Sequence, residues 1–401
     1  MRLILVAVLA AIATTACTSG GVAQQSAPPV SRSPSGGWPA NTQMAIYDSP
    51  APNGAGHIVS VVRIKGSGPN ESARVIASAH VAYRTPSSGP AVIDIPYVST
   101  SKKTIYILDG DSNVLALAPD GSLKKVASIP GSNTVRAAFA VSPDDAYIAV
   151  GAWAVTPVWT STVYVEKIGG RGHVDLLPWK TGQTAAWPVG WHAGKIILAI
   201  GGSLLDWPTY PPARNQYSAG GYEQIDPVAG GHVSDVGAAD CVVTGLLTSA
   251  GTACVASPDG PCLGGMVGEA IFPHNFNSCL RRYDWAGHET LFLLPKELKL
   301  FAFYAALSPE GRAMVTDQLD RVLAPVATAR PGKFFVAPRA LQQSSRGMGW
   351  IDSRHFSMMF LKADGTYQHI FTVNTDYSSV VELPMESLVA GPLVATLPGG
   401  L

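Results

Sequence analysis

From Thr42 onward, short runs of β-branched and apolar residues alternate with turn signals. Thr104–Leu108 is one such run. Asp109-Gly110-Asp111 follows it, then Val114 to Leu117, then Asp120-Gly121, then Val126 to Ile129. An Asp-Gly pair supplies the positive φ that a tight hairpin needs. No run of helical period reaches about twelve residues in this stretch. The pattern predicts an antiparallel meander.

The same grammar recurs. Ala137–Val141 leads through Ser142-Pro143-Asp144-Asp145 into Ala146–Val150, and Ala305–Leu307 leads through Ser308-Pro309-Glu310-Gly311 into Arg312–Val315. A second version places Gly190-Trp191-His192-Ala193-Gly194 before Lys195–Leu198, and Gly349-Trp350-Ile351-Asp352-Ser353 before His355–Met358. Looser copies lie at Ser99–Tyr106 and Ser249–Val255. Turns near residues 100, 143, 193, 250, 309 and 353 are spaced roughly 43 to 59 residues apart. Propeller blades repeat at about 40 to 50 residues, with insertions lengthening single copies. The expected fold is therefore all-β, a β-propeller of six or seven four-stranded blades over residues 42–401. A pair of β-sandwiches fits these intervals less well. The Ser-Pro-Asp/Glu-Asp/Gly turn resembles the blade turn of TolB-type and related WD40-like propellers, although the same tetrapeptide also makes an ordinary type I turn. Met44–Ala79 lacks an innermost strand, and Leu388–Leu397 can supply it, closing the ring without an open sheet edge. Counting this composite blade tips the expected number to seven.

Ahead of the repeats, Met1-Arg2 is followed by an apolar run, LILVAVLAAIA, ending near Ala13. It is too short to cross roughly 30 Å of hydrocarbon as a helix. Charged start, apolar middle and small residues make residues 1–16 a signal peptide. Its end, Thr14-Thr15-Ala16-Cys17, resembles the lipobox of bacterial lipoproteins, with Thr14 standing where Leu is usual. The resemblance implies cleavage before Cys17 and a diacylglycerol on its thiol. Residues 18–41 are rich in Gly, Pro and small polar side chains and read as a tether behind the lipidated Cys17. Together these features place the protein at the cell membrane, lipid-anchored on the extracytoplasmic face.

Lys plus Arg equals Asp plus Glu at 28 each, and no cationic cluster stands out, so nucleic acid is not an expected partner. Forty-one Gly and 31 Pro suit many short strands and tight turns. With Cys17 consumed by lipid, Cys241, Cys254, Cys262 and Cys279 remain. In an exported chain they point to disulfides, with three pairings possible. The expected pairs are Cys241–Cys254 and Cys262–Cys279, the first needing a bulge if Thr248–Gly251 is the hairpin turn. Metal binding is the alternative, without a Cys-x-x-Cys pair to support it.

Chemistry-bearing motifs are sparse. The sequence contains no GxSxG, P-loop, dinucleotide fingerprint or HExxH, and no catalytic residue, metal ligand or cofactor is assigned. His192 and Asp352 occupy similar turn positions in two repeats and are candidates to share one rim. Six Trp lie between residues 153 and 207, of which Trp153, Trp187 and Trp191 are expected to pack between blades. The stretch Leu204–Tyr222 has loop composition and unusual aromatic density. Trp207, Tyr210, Tyr217, Tyr222 and Arg214 are its candidate binding residues, for packing or for a sugar or peptide ligand. The expected function is a binding scaffold for an envelope protein or glycan. The alternative is a propeller hydrolase or lyase acting on extracellular glycans or peptides.

Overall fold

The computed structural model describes residues 37–39, 42–52, 54, 56–84, 97–154, 160–181, 185–201, 221–237, 246–255, 279–293, 302–317, 322–327, 330–331, 335–336, 349–362, 365–373, 380–386, 389 and 391–401. The expected signal peptide and lipidated Cys17 lie outside these residues. Among those described, the only helical element is one 3-10 turn, Gly68–Asn70. Everything else regular is antiparallel strand, gathered into small sheets that follow one another along the chain.

The first sheet is composite. Leu393–Leu397 pairs with Met44–Pro50, which continues outward to His57–Lys65 and Ser72–Val81. Met44 faces Leu397 and Tyr47 faces Leu393, so both ends of the propeller domain meet in one blade. The second sheet runs Val98–Thr100, Ile105–Asp109, Asn113–Leu117, Leu123–Ser128. The third runs Val135–Val141, Tyr147–Ala154, Thr160–Lys167, Arg171–Thr181, and the fourth Ala185–His192, Lys195–Gly201, Tyr222–Ile225, His232–Val236. Thr252–Val255, Cys279–Tyr283 and Glu289–Leu293 make the fifth. In the sixth, Ala302–Leu307, Ala313–Asp317 and Val322–Ala327 are followed by two short pieces, Arg330–Pro331 and Phe335–Val336, sharing the outer position. Gly349–Trp350, His355–Lys362, Gly365–Val373 and Val380–Glu382 form the last.

The protein is thus an all-β propeller, and the expected seven four-stranded blades are corrected to six. Six sheets reach four strands, whereas the fifth has three among the described residues. On its inner side, Leu246 and Leu247 reach the axial cavity and Thr248 pairs with Gly251 in an isolated bridge, the residues just before Leu246 lying outside those described.

Apolar residues pack between neighbouring sheets rather than in one central core. Ile46, Val59 and Val61 of the first sheet pack with Ile105 and Ile107 of the second. Leu108 and Val114 of the second pack with Phe139 and Val150 of the third. Ala149 and Val163 of the third meet Trp191 and Ile196 of the fourth. The expected burial of Trp153, Trp187 and Trp191 holds, at 1%, 0% and 3% exposure. Both Gly-Trp repeats use their indole alike. Trp191 Nε1 donates to Ala140 O of the preceding sheet at 3.1 Å, and Trp350 Nε1 donates to Ala306 O of its preceding sheet at 3.0 Å. An inner-strand indole therefore buries apolar area and satisfies a neighbouring blade's carbonyl in one stroke.

Where the last sheet meets the first, the contact is polar as well. Buried Glu71 accepts from Thr372 Oγ1 at 2.9 Å and Arg354 Nη2 at 3.4 Å, with His355 Nε2 3.6 Å away. His355 Nδ1 in turn lies 2.7 Å from Asp352. Burial pushes the Asp352 carboxyl upward, but His355 and the backbone N–H groups of Arg354 and His355 hold it below the usual range. Tyr47 O–H and Ser357 Oγ hydrogen-bond across the same seam at 2.8 Å.

Candidate functional site

The turns joining the two innermost strands of the second, third and fourth sheets share one surface, and their local chemistry, matched in the later sheets, shapes it. In the first Ser-Pro turn, Ser142 Oγ accepts the N–H groups of Ala146 and Tyr147 at 3.2 and 2.9 Å and donates to Asp144 at 2.6 Å. Asp145 adopts φ 62°. In the second, Ser308 Oγ accepts from Arg312 N at 2.9 Å and Gly311 takes the same left-handed position at φ 82°. In the fourth sheet, His192 pairs with Lys195, and Ala193 and Gly194 both have positive φ, as a two-residue hairpin of type I′ requires. Beside it, Asp226 accepts from Val228 N at 2.8 Å and Ala229 N at 3.0 Å and forms an ion pair with Lys195. The Lys195 ammonium and these two N–H groups hold the Asp226 carboxyl well below the usual range. The turn is thereby fixed with Val228 pointing outward, 86% exposed.

Between the turns of the third and fourth sheets lies a cleft of about 700 Å³, within the range of roughly 300–1,000 Å³ common for ligand pockets. Tyr147, Val165, Val174, Trp191, Val228 and Leu401 form much of its wall, with Lys102, Asp144 and Lys167 at the rim. Tyr147 and Val174 are 39% and 40% exposed. Three of the six large apolar side chains most exposed among the described residues therefore line one cleft, and grouped exposure is more informative than scattered exposure.

The propeller axis is different. Its cavity holds only about 60 Å³, and no side chain lining it carries a carboxylate or an imidazole. Residues 399–401 cross this end of the axis. Gly399 N donates to Ser101 O at 2.7 Å and Leu401 N donates to Trp191 O at 2.9 Å. A Cβ on Gly190 would stand 2.6 Å from Leu401 Cδ1, so the glycine makes the notch in which the leucine sits. Leu401 and Trp191 border both the axial cavity and the cleft.

Of the loop residues expected to bind, Trp207, Tyr210, Arg214 and Tyr217 lie outside the described residues. Tyr222 is a correction. It opens the strand Tyr222–Ile225, is 2% exposed, and sets its ring edge-on to Trp285 at 5.9 Å, so no ligand can reach it. His192 and Asp352 do not form a joint site: His192 faces Trp285 at 6.2 Å, while Asp352 is engaged with His355. Cys241 and Cys262 fall outside the described residues. Cys254 and Cys279 lie on the paired strands Thr252–Val255 and Cys279–Tyr283. Among the described residues, no group of three or more His, Cys, Asp or Glu could hold a metal ion. The cleft residues Tyr147, Val174 and Val228 were missed by sequence reasoning. The available signal was an apolar Val228 inside the turn-forming run Asp226–Gly231.

No protein-family model matches the sequence. No curated protein matches it. Solved structures similar to it include an oligogalacturonate lyase in complex with manganese, at 7% identity and TM-score 0.47, covering 85% of this chain and 100% of that one. A chain of the mitotic checkpoint complex is similar at 12% identity and TM-score 0.45, covering 77% and 84%. A putative TolB from Agrobacterium tumefaciens is similar at 11% identity and TM-score 0.33, covering 89% and 92%. Likenesses this distant leave substrate and partner open.

Proposed function

We propose that this protein is a lipid-anchored, extracytoplasmic propeller that serves as a binding scaffold, with the cleft between its third and fourth sheets as the working surface. The anchor reading rests on residues 1–17, and disulfides among Cys241, Cys254, Cys262 and Cys279 accord with an exported chain. The observation that carries the binding reading is the cleft itself: about 700 Å³, with Tyr147, Val174 and Val228 held out to solvent by hydrogen-bonded turns. Keeping three large apolar side chains exposed in one concavity favours association, and their removal carries little folding cost.

The double variant Tyr147→Ser, Val228→Ser tests this. Surface changes of this kind usually stay within about 0.5 kcal/mol each, so its melting temperature should barely move. Recovery of partner from cells by the full chain should fall at least tenfold. Unchanged recovery removes the cleft from the account. Release of product from a glycan or peptide panel by the wild-type protein would move the reading to a hydrolase or lyase.

A further inference from the structure

We infer that the seam closing the ring is a proton-binding site, where His355 is held as an imidazolium between Glu71 and Asp352. Loss of that proton weakens the grip of the last sheet on the first. Neither the cleft nor the lipid anchor enters this inference. Its basis is the geometry around one ring. His355 Nδ1 lies 2.7 Å from Asp352 Oδ2 on one side, and Nε2 lies 3.6 Å from Glu71 Oε2 on the other. Both carboxyl groups act as acceptors towards further donors. Asp352 Oδ1 takes the N–H groups of Arg354 and His355 at 2.7 and 2.8 Å. Glu71 takes Thr372 Oγ1 at 2.9 Å and Arg354 Nη2 at 3.4 Å.

A neutral imidazole has one N–H and one lone pair. With the hydrogen on Nδ1, the Nε2 lone pair faces the Glu71 carboxylate. With it on Nε2, the Nδ1 lone pair stands 2.7 Å from Asp352. Either neutral form sets a lone pair against an anion, and only the doubly protonated ring donates on both sides. Nε2 is buried without a hydrogen-bond partner among the described residues, and Glu71 is 4% exposed, so solvent screens the pair poorly. Charge balance agrees. Glu71 and Asp352 bring two negative charges, and Arg354, 44% exposed, offsets them only in part. A proton on His355 makes the cluster neutral inside the seam. Among the described residues no other carboxylate stands within ion-pairing distance of the ring, and the paired strand contributes the Thr372 hydroxyl.

Glu71 leads into the first sheet's outer strand, Ser72–Val81, whereas His355 opens a strand of the last sheet. The shared proton therefore ties together the two sheets that close the ring. Folding takes this proton up, so its stabilisation is complete below about pH 6.5, the ordinary imidazole value, and is lost as the ring gives up the proton at higher pH. On the acid side it persists until the carboxylates themselves protonate, below about pH 4.

Nitrogen NMR of the full chain carrying isotope-labelled histidine tests the folded state directly. The His355 signal is assigned by its loss in His355→Gln or, should that variant not fold, by its through-space contact with Thr372. At pH 7.5 both ring nitrogens of His355 should be protonated, and one bare nitrogen at that pH overturns the inference. Urea unfolding gives the second readout. Between pH 6 and pH 9 the wild-type folding constant should fall at least tenfold further than that of His355→Gln, and Glu71→Gln should remove most of this excess. Equal pH dependence in all three proteins, or a steeper fall in His355→Gln, overturns it as well.

Discussion

Replacing Trp350 by alanine should destabilise the protein by about 3–5 kcal/mol, the cost typical of a deleted core aromatic. The ring is 1% exposed and packs edge-on to Phe356 at a centroid distance of 5.5 Å. Its loss would also strand the Ala306 carbonyl, which accepts the Trp350 indole N–H from the next sheet. Trp350→Phe separates the two contributions. It keeps most of the apolar volume and loses the inter-blade hydrogen bond, so roughly 1–3 kcal/mol should go, the cost of an unsatisfied buried group. Urea unfolding reads both values from the shift in midpoint at constant slope. A loss below about 1 kcal/mol for the alanine variant would mean that the indole hook does not hold neighbouring blades together.

The hook also shows why part of this fold was legible. Gly-Trp and Ser-Pro-Asp/Glu repeats are visible because each encodes a local act: an indole satisfying a neighbouring carbonyl, or a serine hydroxyl capping two turn N–H groups. The composite first blade was readable for a similar reason, since Met44–Ala79 lacked an inner strand that Leu393–Leu397 supplies. What escaped depends on neighbours far away in sequence. Tyr222 reads like a loop aromatic next to Asn215 and Gly221, yet it begins a strand whose inward face meets Trp285 across two sheets. The cleft was hardest of all. Tyr147, Val174 and Val228 come from three separate segments, and nothing local marks them as neighbours. Glu71 likewise lies 283 residues from its partner Arg354.

Changing Cys17 to Ser should move the protein from the membrane fraction to the soluble fraction, or leave it unprocessed, in an all-or-none manner. A single acyl chain binds a bilayer only marginally, with an association constant of about 10⁴ M⁻¹, whereas two chains hold firmly. A diacylglycerol on one thioether supplies two. The hydroxyl of serine is a much poorer nucleophile than the thiolate, so the acceptor for that lipid is lost along with the anchor. Radiolabelled fatty acid and membrane fractionation give the result in one experiment. A Cys17→Ser protein that still carries diacylglycerol would refute the lipobox reading.

As a working surface, the cleft must meet a partner in the living cell. A photo-crosslinking amino acid placed at Val228 in the cleft, or at Val381 on the outer strand of the last sheet, measures this directly. Val381 is itself 59% exposed, so exposure alone does not distinguish the two positions. On illumination of intact cells, position 228 should yield one discrete protein adduct and position 381 should yield none. Adducts of equal yield at both positions, or at 381 alone, would contradict the cleft as the working surface.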